Sequence, residues 1–486
     1  QPFPDFSRHR NLPQRIAALG WATKVHLEAM VETEVVVISG GPAGYVAARR
    51  LGQLGVETVL VEREHLGGVC LNRGCIPTKA LYAATSPLGK KEIYRGMGLD
   101  LEVRVDLPKL RAFLAEVVEK LRLGVQRVLS AAKVEVLHGE ARLVGPKEVE
   151  VVGEGGVTRI AAKAVVLATG SAPIELPFLP FDGERVWSSD HALQLAKVPE
   201  KLVVVGGGVV GLELATVYRR LGAQVTVVEM LNGVLPGLGL SARAEAVLRQ
   251  GLVRQGIEVR LQTTAVGLTK HGIVVRGQKE EELEAEVVLV AVGRRPRPAG
   301  LGLERAGVQE EKGFVRTDAN FCAAPGVYAI GDLRGGPLLA HKASHEGLAL
   351  AELLARRLRG QAQAGPENAG AVPWAVFTHP EVAMVGVPVD TPGLGLGRFP
   401  FSALGRAWAE GEPEGFLTLA CDAAGKIVGA EIVGPHASEL LAEVALAVEA
   451  GLSLHQLART IHAHPTFAEA VWEAALVALG RPLHIL

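Results

Sequence analysis

Cysteine is scarce in this chain of 486 residues, which contains only four, at positions 70, 75, 322 and 421. Small secreted domains held together by disulfides use far more cysteine for their size, so the sequence excludes a scaffold of that kind. Two of the four, Cys70 and Cys75, lie close together in the chain. One close pair in a large protein indicates redox chemistry in a reducing compartment, and we therefore expect a cytoplasmic protein.

An excess of charge of one sign and long apolar runs are missing as well. The chain has 51 Lys and Arg against 52 Asp and Glu, so it has no overall basic field for nucleic-acid phosphates and we expect no nucleic-acid partner. Apolar stretches such as residues 440–452 are interrupted by glutamates, which argues against a membrane span. The chain length predicts about three globular domains.

Residues 1–29 differ in character from the remainder of the chain. They mix prolines, histidine and arginines without a clear period, and they lack the apolar core of a secretory signal. Met30 stands just before the first strand-like segment. We therefore expect residues 1–30 to be an N-terminal extension, with a basic, acid-poor organelle transit peptide as the alternative.

The segment LGGVCLNRGCIPTK, residues 66–79, places both close cysteines among glycines and a proline. A disulfide needs Cα atoms within roughly 7 Å, whereas a regular helix separates residues five apart by about 7.5 Å along its axis. A bridge would therefore need a distorted turn, which Gly74 and Pro77 favour. A redox dithiol is the favoured interpretation; two buried thiols or half of a zinc site are the alternatives, although the spacing is unusual for zinc.

A strand, a glycine turn, a helix and a second strand follow from Glu34 to Glu62. This order is typical of a dinucleotide site, in which glycines let the backbone approach a pyrophosphate and a terminal acid accepts the ribose hydroxyls. Gly41 and Gly44 match the fingerprint, whereas Ser39 occupies the position of its first glycine. The departure weakens the fingerprint without removing it.

The same unit returns from Lys201 with a complete fingerprint, Gly206, Gly208 and Gly211, and it ends in Glu229. Two such units predict two bound dinucleotides, and two ordinary βαβ units are the alternative. Glu229 favours NAD over NADP because a carboxylate repels a 2′-phosphate, and residues 230–232 include no arginine.

Three shorter strand-and-turn pieces surround these units. Residues 164–170 and 287–296 each end an apolar strand near a glycine and indicate crossings between nucleotide domains. A third, GVYAIGD, ends in Asp332 before a helix. This acid could hold a polyol hydroxyl while the helix N-terminus faces a polarised carbonyl, or it could be a simple N-cap.

The composition changes after residues 361–370, a Gln-, Ala- and Gly-rich linker. Short strands and helices without a glycine fingerprint predict a separate α+β domain. Its last segment contains His462, His464 and Glu469. Glu469 could orient the imidazole of His464 as a base, although a histidine before a proline is more often structural.

Five of these motifs, LGGVCLNRGCIPTK, GGGVVGLELA, AIGD, LAHKASHEG and IHAHPTFAEA, in this order, resemble the flavoprotein disulfide reductases. The similarity covers residues 31–486. It is greatest to the branch that oxidises protein-bound dihydrolipoyl groups with NAD as the E3 component of 2-oxo acid dehydrogenase complexes. Three related groups are expected to differ from this chain. Glutathione-type reductases are expected to have arginines near the second acid, which is Glu229 here, and mercuric reductases a terminal cysteine pair, which is absent from this sequence. Soluble transhydrogenases are expected to lack the dithiol, which is present.

The resemblance implies a role for each matching residue. Cys70 matches the thiol that exchanges with substrate, Cys75 the thiol beside the flavin, and His464 with Glu469 the base and its orienting carboxylate. Lys79 and Glu213 match a pair near the reactive flavin nitrogen. The expected FAD- and NAD-binding residues are Gly41, Gly44, Glu62, Lys79, Gly170, Asp332, Leu339, Ala340, Gly206, Gly208, Gly211, Glu229 and Gly293; no metal is expected.

The resulting fold class is α/β, with two Rossmann-like dinucleotide-binding domains, for FAD and NAD, and a C-terminal α+β dimerisation domain. The expected boundaries are 31–175 for the FAD domain, 176–296 for the NAD domain, 297–360 for a return to the FAD domain, and 361–486 for the dimerisation domain. The resemblance also implies three partners: a second copy of the chain, the lipoyl domain of an acyltransferase, and a peripheral subunit-binding domain.

Overall fold

The computed structural model describes residues 30–361, 365 and 370–486. The expectations for residues 1–29 and for most of the 361–370 linker lie outside the described residues. Two compact units are present. The first contains the described parts of residues 1–77, 111–174 and 294–369, and the second contains residues 78–110, 175–293 and 370–486.

Strands form the sheets of both units. In chain order they are β1 (Val31–Ile38), β2 (Thr58–Glu62), β3 (Glu135–His138), β4 (Glu140–Gly145), β5 (Glu148–Gly153), β6 (Gly156–Leu167), β7 (Ser171–Pro173), β8 (Val186–Trp187), β9 (Lys201–Val205), β10 (Gln224–Val228), β11 (Ile257–Arg260), β12 (Thr264–Leu268), β13 (Gly272–Arg276), β14 (Glu280–Glu284), β15 (Val287–Val290), β16 (Arg294–Pro296), β17 (Glu310–Glu311), β18 (Phe314–Val315), β19 (Cys322–Ala324), β20 (Val327–Ala329), β21 (Trp374–Val376), β22 (Glu381–Gly386), β23 (Gly395–Pro400), β24 (Phe416–Cys421) and β25 (Ile427–Gly434).

Helices connect and cover these strands. In chain order they are α1 (Pro42–Gln53), α2 (Gly68–Arg73), α3 (Cys75–Gly89), α4 (Lys91–Gly96), α5 (Leu107–Ala131), α6 (Ser189–Leu193), α7 (Val209–Arg220), α8 (Ala242–Arg254), α9 (Ala340–Leu358), α10 (Gly405–Ala409), α11 (Ala437–Glu449), α12 (Leu454–Arg459) and α13 (Glu469–Ala478). Short 3₁₀ helices span Leu303–Ala306, Gly331–Arg334 and Phe401–Ala403. No helix in the described ranges combines the length and apolar composition that a membrane crossing needs.

The first unit is built on an eight-stranded sheet with the order β19-β20-β6-β1-β2-β3, to which β5 and β4 are added at β6. Strand β1 pairs in parallel with both β2 and β6. Its side chains are buried on both faces: Val35 and Val37 belong to one core cluster, and Val36 and Ile38 to the other. Burial on two faces explains why the strand reads as a continuous apolar run rather than an alternating one.

The second unit contains two larger sheets. A parallel sheet has the order β11-β10-β9-β15-β8, and an antiparallel sheet of the C-terminal residues has the order β21-β22-β25-β24-β23. The antiparallel sheet shares a core cluster with buried side chains of α11 and α13, such as Val444 and Val471. Each glycine fingerprint thus lies between parallel strands and the last sheet is of a different type, which confirms the predicted fold class.

Candidate active site

The first glycine turn joins β1 to α1 in the first unit. The Glu62 carboxylate, at the end of β2, accepts hydrogen bonds from the backbone N–H of Gly40 at 2.7 Å and of Glu64 at 2.8 Å. An added Cβ at Gly44 would lie 1.8 Å from the Ser39 carbonyl oxygen, so only glycine permits this approach. At Gly41, the N-cap of α1, the nearest atom would be 3.8 Å away, which leaves room for a pyrophosphate at the helix N-terminus.

The second glycine turn, between β9 and α7, repeats this geometry. The Glu229 carboxylate accepts from Gly207 N–H at 2.7 Å and from Leu231 N–H at 2.9 Å. An added Cβ at Gly211 would lie 2.1 Å from the Gly206 carbonyl oxygen, whereas one at Gly208 would meet no atom within 4 Å. Glu62 and Glu229 thus make the same two hydrogen bonds, one to the glycine turn and one to the backbone two residues after the acid. Both turns therefore fit a dinucleotide.

Ser39 adopts the backbone conformation that its position demands, with a φ of 83°, while Gly206 at the equivalent position has a φ of 111°. A non-glycine residue pays a conformational cost at positive φ. The Ser39 hydroxyl donates to Glu62 at 3.3 Å, a long hydrogen bond. Serine in place of glycine therefore raises the conformational free energy of the turn and leaves its shape unchanged.

Ser39→Gly is expected to stabilise the protein by about 1 kcal/mol, because relief of the left-handed serine outweighs the added freedom of the unfolded chain. The midpoint of thermal unfolding, measured at fixed FAD concentration, checks this result. The matched control is Gly206→Ser, whose Cβ would lie 2.5 Å from the Ala291 carbonyl oxygen and which we expect to destabilise. A midpoint for Ser39→Gly at or below that of the unmodified protein would contradict the prediction.

The two close cysteines flank a break between helices. Cys70 lies on α2, and Cys75 begins α3 after Gly74, whose φ of −147° and ψ of −114° interrupt the helical path. A Cβ on Gly74 would lie 3.0 Å from the Val69 carbonyl oxygen and 3.3 Å from the Cys70 Cα. The backbone at Gly74 therefore folds back toward Cys70, and this is the distorted turn that the sequence predicts. Cys75 is exposed and Cys70 is partly exposed.

Lys79 and Glu213 form an ion pair in the second unit, with Lys79 Nζ 2.9 and 2.8 Å from the two carboxylate oxygens. The carboxylate is nearly buried, with 5% of the Glu213 side chain exposed. Phe377 contributes twice: its backbone N–H donates to Glu213 at 3.0 Å, and its ring centroid lies 4.5 Å from Lys79 Nζ. The Lys79 side chain is 33% exposed, and its bonds to the buried carboxylate and its contact with the Phe377 ring hold the ammonium in one place.

Asp332 lies in the 3₁₀ helix Gly331–Arg334 and caps neither that helix nor α9, whose N-cap is Leu339. The N-cap alternative is therefore wrong. The Asp332 carboxylate accepts from the Ser171 hydroxyl at 2.5 Å, and Ser171 in turn accepts from Arg294 Nε at 2.8 Å. This chain of hydrogen bonds orients the carboxylate within the first unit.

The remaining predicted cofactor residues lie at turns and helix starts. Gly170 follows β6 with a φ of 68°, and an added Cβ there would meet no atom within 4 Å. Gly293 precedes β16 with a φ of 122°. Ala340 is the first residue of α9, and the side chain of its N-cap, Leu339, makes no capping hydrogen bond, so that helix end keeps backbone N–H groups for a polarised acceptor.

His464 and Glu469 meet in the C-terminal part of the second unit. Glu469 is the first residue of α13; its Oε1 lies 2.9 Å from His464 Nδ1, and its Oε2 accepts the Thr466 N–H at 2.9 Å. The His464 side chain is 76% exposed. Among the described residues no partner bonds its Nε2, so the geometry suits a base that takes a proton from an arriving group.

The structure thus brings together Lys79 with Glu213 and His464 with Glu469, and it joins each acid, Glu62 or Glu229, to its own glycine turn. Sequence reasoning missed the contacts of Phe377 and Ser171. Phe377 is 164 residues from Glu213, and Ser171 is 161 residues from Asp332. No local spacing could reveal them. No cluster of three or more His, Cys, Asp or Glu with the arrangement of a metal site occurs in the described part of the chain.

Comparisons with known proteins agree with this geometry. Residues 33–347 match the model of the pyridine nucleotide-disulphide oxidoreductases, and residues 372–475 match the dimerisation domain of the same family. The dihydrolipoyl dehydrogenase of Thermus scotoductus is 44% identical over 93% of this chain and 99% of its own length. That of Geobacillus stearothermophilus is 41% identical over 94% and 98%.

Solved structures show the same fold. The crystal structure of LpdA from Mycobacterium tuberculosis superposes with a TM-score of 0.82 and 28% identity, covering 91% of this chain and 99% of that one. The flavoprotein disulfide reductase RclA from Escherichia coli, at 24% identity and a TM-score of 0.81 over 92% and 99% of the two chains, shares the fold. The chain therefore belongs to the pyridine nucleotide-disulphide oxidoreductase family.

Proposed function

We infer that this protein is a dihydrolipoyl dehydrogenase: it oxidises protein-bound dihydrolipoyl groups with NAD, by means of FAD and a Cys70–Cys75 redox disulfide. The observation that carries this inference is the match to dihydrolipoyl dehydrogenases over 93–94% of the chain at 41–44% identity. The cysteine pair around Gly74 and the His464–Glu469 pair supply the residues that such a reaction needs.

The proposed reaction is a thiol–disulfide exchange followed by electron transfer. His464 Nε2 takes a proton from one substrate thiol, and the resulting thiolate attacks Cys70 Sγ, which breaks the Cys70–Cys75 bond and leaves Cys75 as a thiolate. His464 releases the first proton to solvent and takes the proton of the second substrate thiol, whose thiolate attacks the substrate sulfur of the mixed disulfide, closes the lipoyl ring and releases Cys70 as a thiolate. FAD, when bound, accepts the two electrons from the dithiol and supplies them as hydride to NAD.

The proposed roles of the other residues rest on the resemblance to the family. Glu469 orients His464 through Nδ1, and the Lys79–Glu213 pair would supply a fixed ammonium for the reactive nitrogen of the flavin. Asp332 would bind the ribityl chain, and the N-terminus of α9, at Leu339 and Ala340, would stabilise negative charge on the flavin ring. Residues 31–175 and 297–360 form the FAD domain, 176–296 the NAD domain, and 361–486 the dimerisation domain. The first turn, with Gly41, Gly44, Glu62 and Gly170, holds FAD, and the second, with Gly206, Gly208, Gly211, Glu229 and Gly293, holds NAD.

Glu229→Ala is expected to weaken NAD binding about tenfold, which is the effect of removing one charge-assisted hydrogen bond. It is also expected to reduce the preference for NAD over NADP, because the carboxylate that repels a 2′-phosphate is lost. Steady-state KM values for NAD and NADP measure both effects. The control is Glu258→Ala on β11, whose side chain is 52% exposed and pairs with Arg260. The assignment fails if the unmodified protein uses NADP as well as it uses NAD.

The family match places a dimerisation domain in residues 372–475, which supports a homodimer. We further propose that the dimer serves a 2-oxo acid dehydrogenase complex in the cytoplasm. Its partners there are the lipoyl domain of an acyltransferase, as substrate, and a peripheral subunit-binding domain, as anchor. The scarcity and close pairing of cysteine support the reducing compartment.

Parallel assays test the function. We expect NAD-dependent oxidation of dihydrolipoamide, and little NADH- or NADPH-dependent reduction of glutathione disulfide or Hg(II). Preference for either of the latter substrates would indicate another disulfide reductase. In stopped-flow reduction by dihydrolipoamide, a long-wavelength thiolate–flavin absorption band is expected. Absence of this band would favour the alternative of a docking subunit with an idle redox centre. The complete set of dithiol, histidine and carboxylate argues against that alternative, because an idle site has no physical need for the three together.

A further inference from the structure

A second histidine–glutamate pair lies two residues before His464. His462 Nε2 is 2.8 Å from Glu443 Oε1, on α11, and His462 Nδ1 is 3.0 Å from the Thr460 carbonyl oxygen. Only 6% of the His462 side chain is exposed, against 76% for His464. The two histidines therefore occupy opposite environments, and only one of them has a role in the proposed reaction.

The contacts of His462 specify its protonation state. A carbonyl oxygen accepts hydrogen bonds only, as does an ionised carboxylate, whereas a neutral imidazole can donate from just one ring nitrogen. Both nitrogens of His462 face such acceptors, so the arrangement is satisfied by the imidazolium. Consistent with this, the hydrogen bond to Glu443 raises the pKa of His462 against the opposing effect of burial, and the Glu469 carboxylate on α13 raises it further.

The pair connects the histidine segment to a rigid support. The chain between α12 and α13, residues 460–468, has no helical or strand hydrogen bonding of its own, and it carries His464 at its middle. Glu443 projects from α11, whose buried residues Leu440, Leu441, Val444 and Ala447 pack in the core of the C-terminal sheet. Phe467, after His464, packs in that core, and the His462–Glu443 hydrogen bond anchors the segment on the other side of His464.

We propose that His462, held as an imidazolium by Glu443, is a positioning residue that fixes the segment carrying the base His464. This inference rests on the proposed function. A misplacement of the base by about 1 Å can reduce turnover up to a hundredfold. The pair should therefore act on the thiol half of the reaction and leave the flavin and NAD half unchanged.

The pH dependence has a definite sign. Because folding raises the pKa of His462, the charged pair is complete below the unfolded pKa and is lost as pH rises through the raised folded value. The carboxylates of Glu443 and Glu469 are the acidic groups that face His462. The positioning of the segment that carries His464 should consequently weaken at alkaline pH. A permanently charged side chain at position 462 should extend the oxidation of dihydrolipoamide to higher pH.

The test compares His462→Gln, Glu443→Gln, their double variant and His462→Lys. The matched control is His455→Gln, an exposed histidine on α12. Two activities are measured: oxidation of dihydrolipoamide by NAD across pH, and reduction of ferricyanide by NADH, which uses the flavin but no thiol base. We expect about a tenfold to hundredfold loss of kcat in the first activity for both single variants, and a double variant no worse than either.

His462→Lys is expected to recover part of the loss and to move the alkaline limb of the profile upward. The ferricyanide activity and the control should not change. Dihydrolipoamide turnover by His462→Gln equal to that of His455→Gln would overturn the proposal, as would an equal loss of both activities. If His462→Gln does not accumulate, Glu443→Gln decides by the same criteria. Failure of the unmodified protein to oxidise dihydrolipoamide would instead refute the proposed function.

Discussion

Mixing two inactive variants, Cys70→Ser and His464→Gln, is expected to restore activity. His464 lies within the residues that match the family's dimerisation domain, whereas Cys70 lies in the first compact unit. A two-fold dimer contact produces two equivalent sites. If each site combines the dithiol of one subunit with the histidine of its partner, a mixed dimer has one site with both lesions and one intact site.

The expected magnitude is large. Loss of a general base, as in His464→Gln, costs about a hundredfold to ten-thousandfold, and Cys70→Ser removes the thiol that exchanges with substrate, so each variant alone has almost no turnover. Random re-association of equal amounts yields half mixed dimers, and these restore about a quarter of the unmodified number of sites. Activity per bound FAD, measured after dissociation in mild chaotrope and dilution, checks this value.

The control for this experiment mixes Cys70→Ser with Cys75→Ser. Both lesions then affect the dithiol, so no arrangement of subunits yields an intact site and no activity should return. If the histidine served its own subunit, the Cys70→Ser and His464→Gln mixture would also remain inactive. That result would contradict the shared-site interpretation.

Serine substitutions at the four cysteines are expected to fall into two groups by their effect on turnover. Serine at Cys70 or Cys75 is expected to abolish dihydrolipoamide turnover, because a hydroxyl replaces the thiolate that is the nucleophile in exchange. Burial raises the pKa of the Cys322 thiol and that of the Cys421 thiol, which disfavours the thiolate at both. From the sequence alone, Cys322, which follows an aromatic residue, is expected in a loop and Cys421 in a strand. The structure places Cys322 at the start of the short strand β19, so that expectation is wrong, and Cys421 at the end of β24, as expected.

The matched substitutions are therefore Cys322→Ser and Cys421→Ser. The Cys322 thiol lies 3.2 Å from the Ala324 carbonyl oxygen, a contact that a serine hydroxyl can replace. Cys421 packs in the C-terminal core, so its variant is expected to lose stability rather than turnover. The measurement is kcat per bound FAD. A loss above about tenfold in either variant, equal to 1.4 kcal/mol of barrier, would contradict the prediction.

Several parts of the site were predictable because their determinants are local. Each fingerprint lies within about thirty residues of strand, turn, helix and strand, and the steric demand of the turn selects glycine. The structure places Glu62 and Glu229 at the same backbone bonds, 2.7 Å from Gly40 and Gly207 respectively. The His464–Glu469 contact was also predictable, since the partners are only five residues apart.

The sequence by itself determined the two nucleotide turns, the distorted cysteine segment and the separate C-terminal sheet, since each follows from apolar periodicity and turn chemistry in a short stretch of chain. Only the tertiary structure decided that Phe377 supports the Lys79–Glu213 pair and that Ser171, rather than a helix end, binds Asp332. It also decided that His462 is buried against Glu443 while His464 is exposed. These contacts join residues distant in sequence or distinguish two neighbours by burial, and both depend on how helices and sheets pack, which no local pattern encodes.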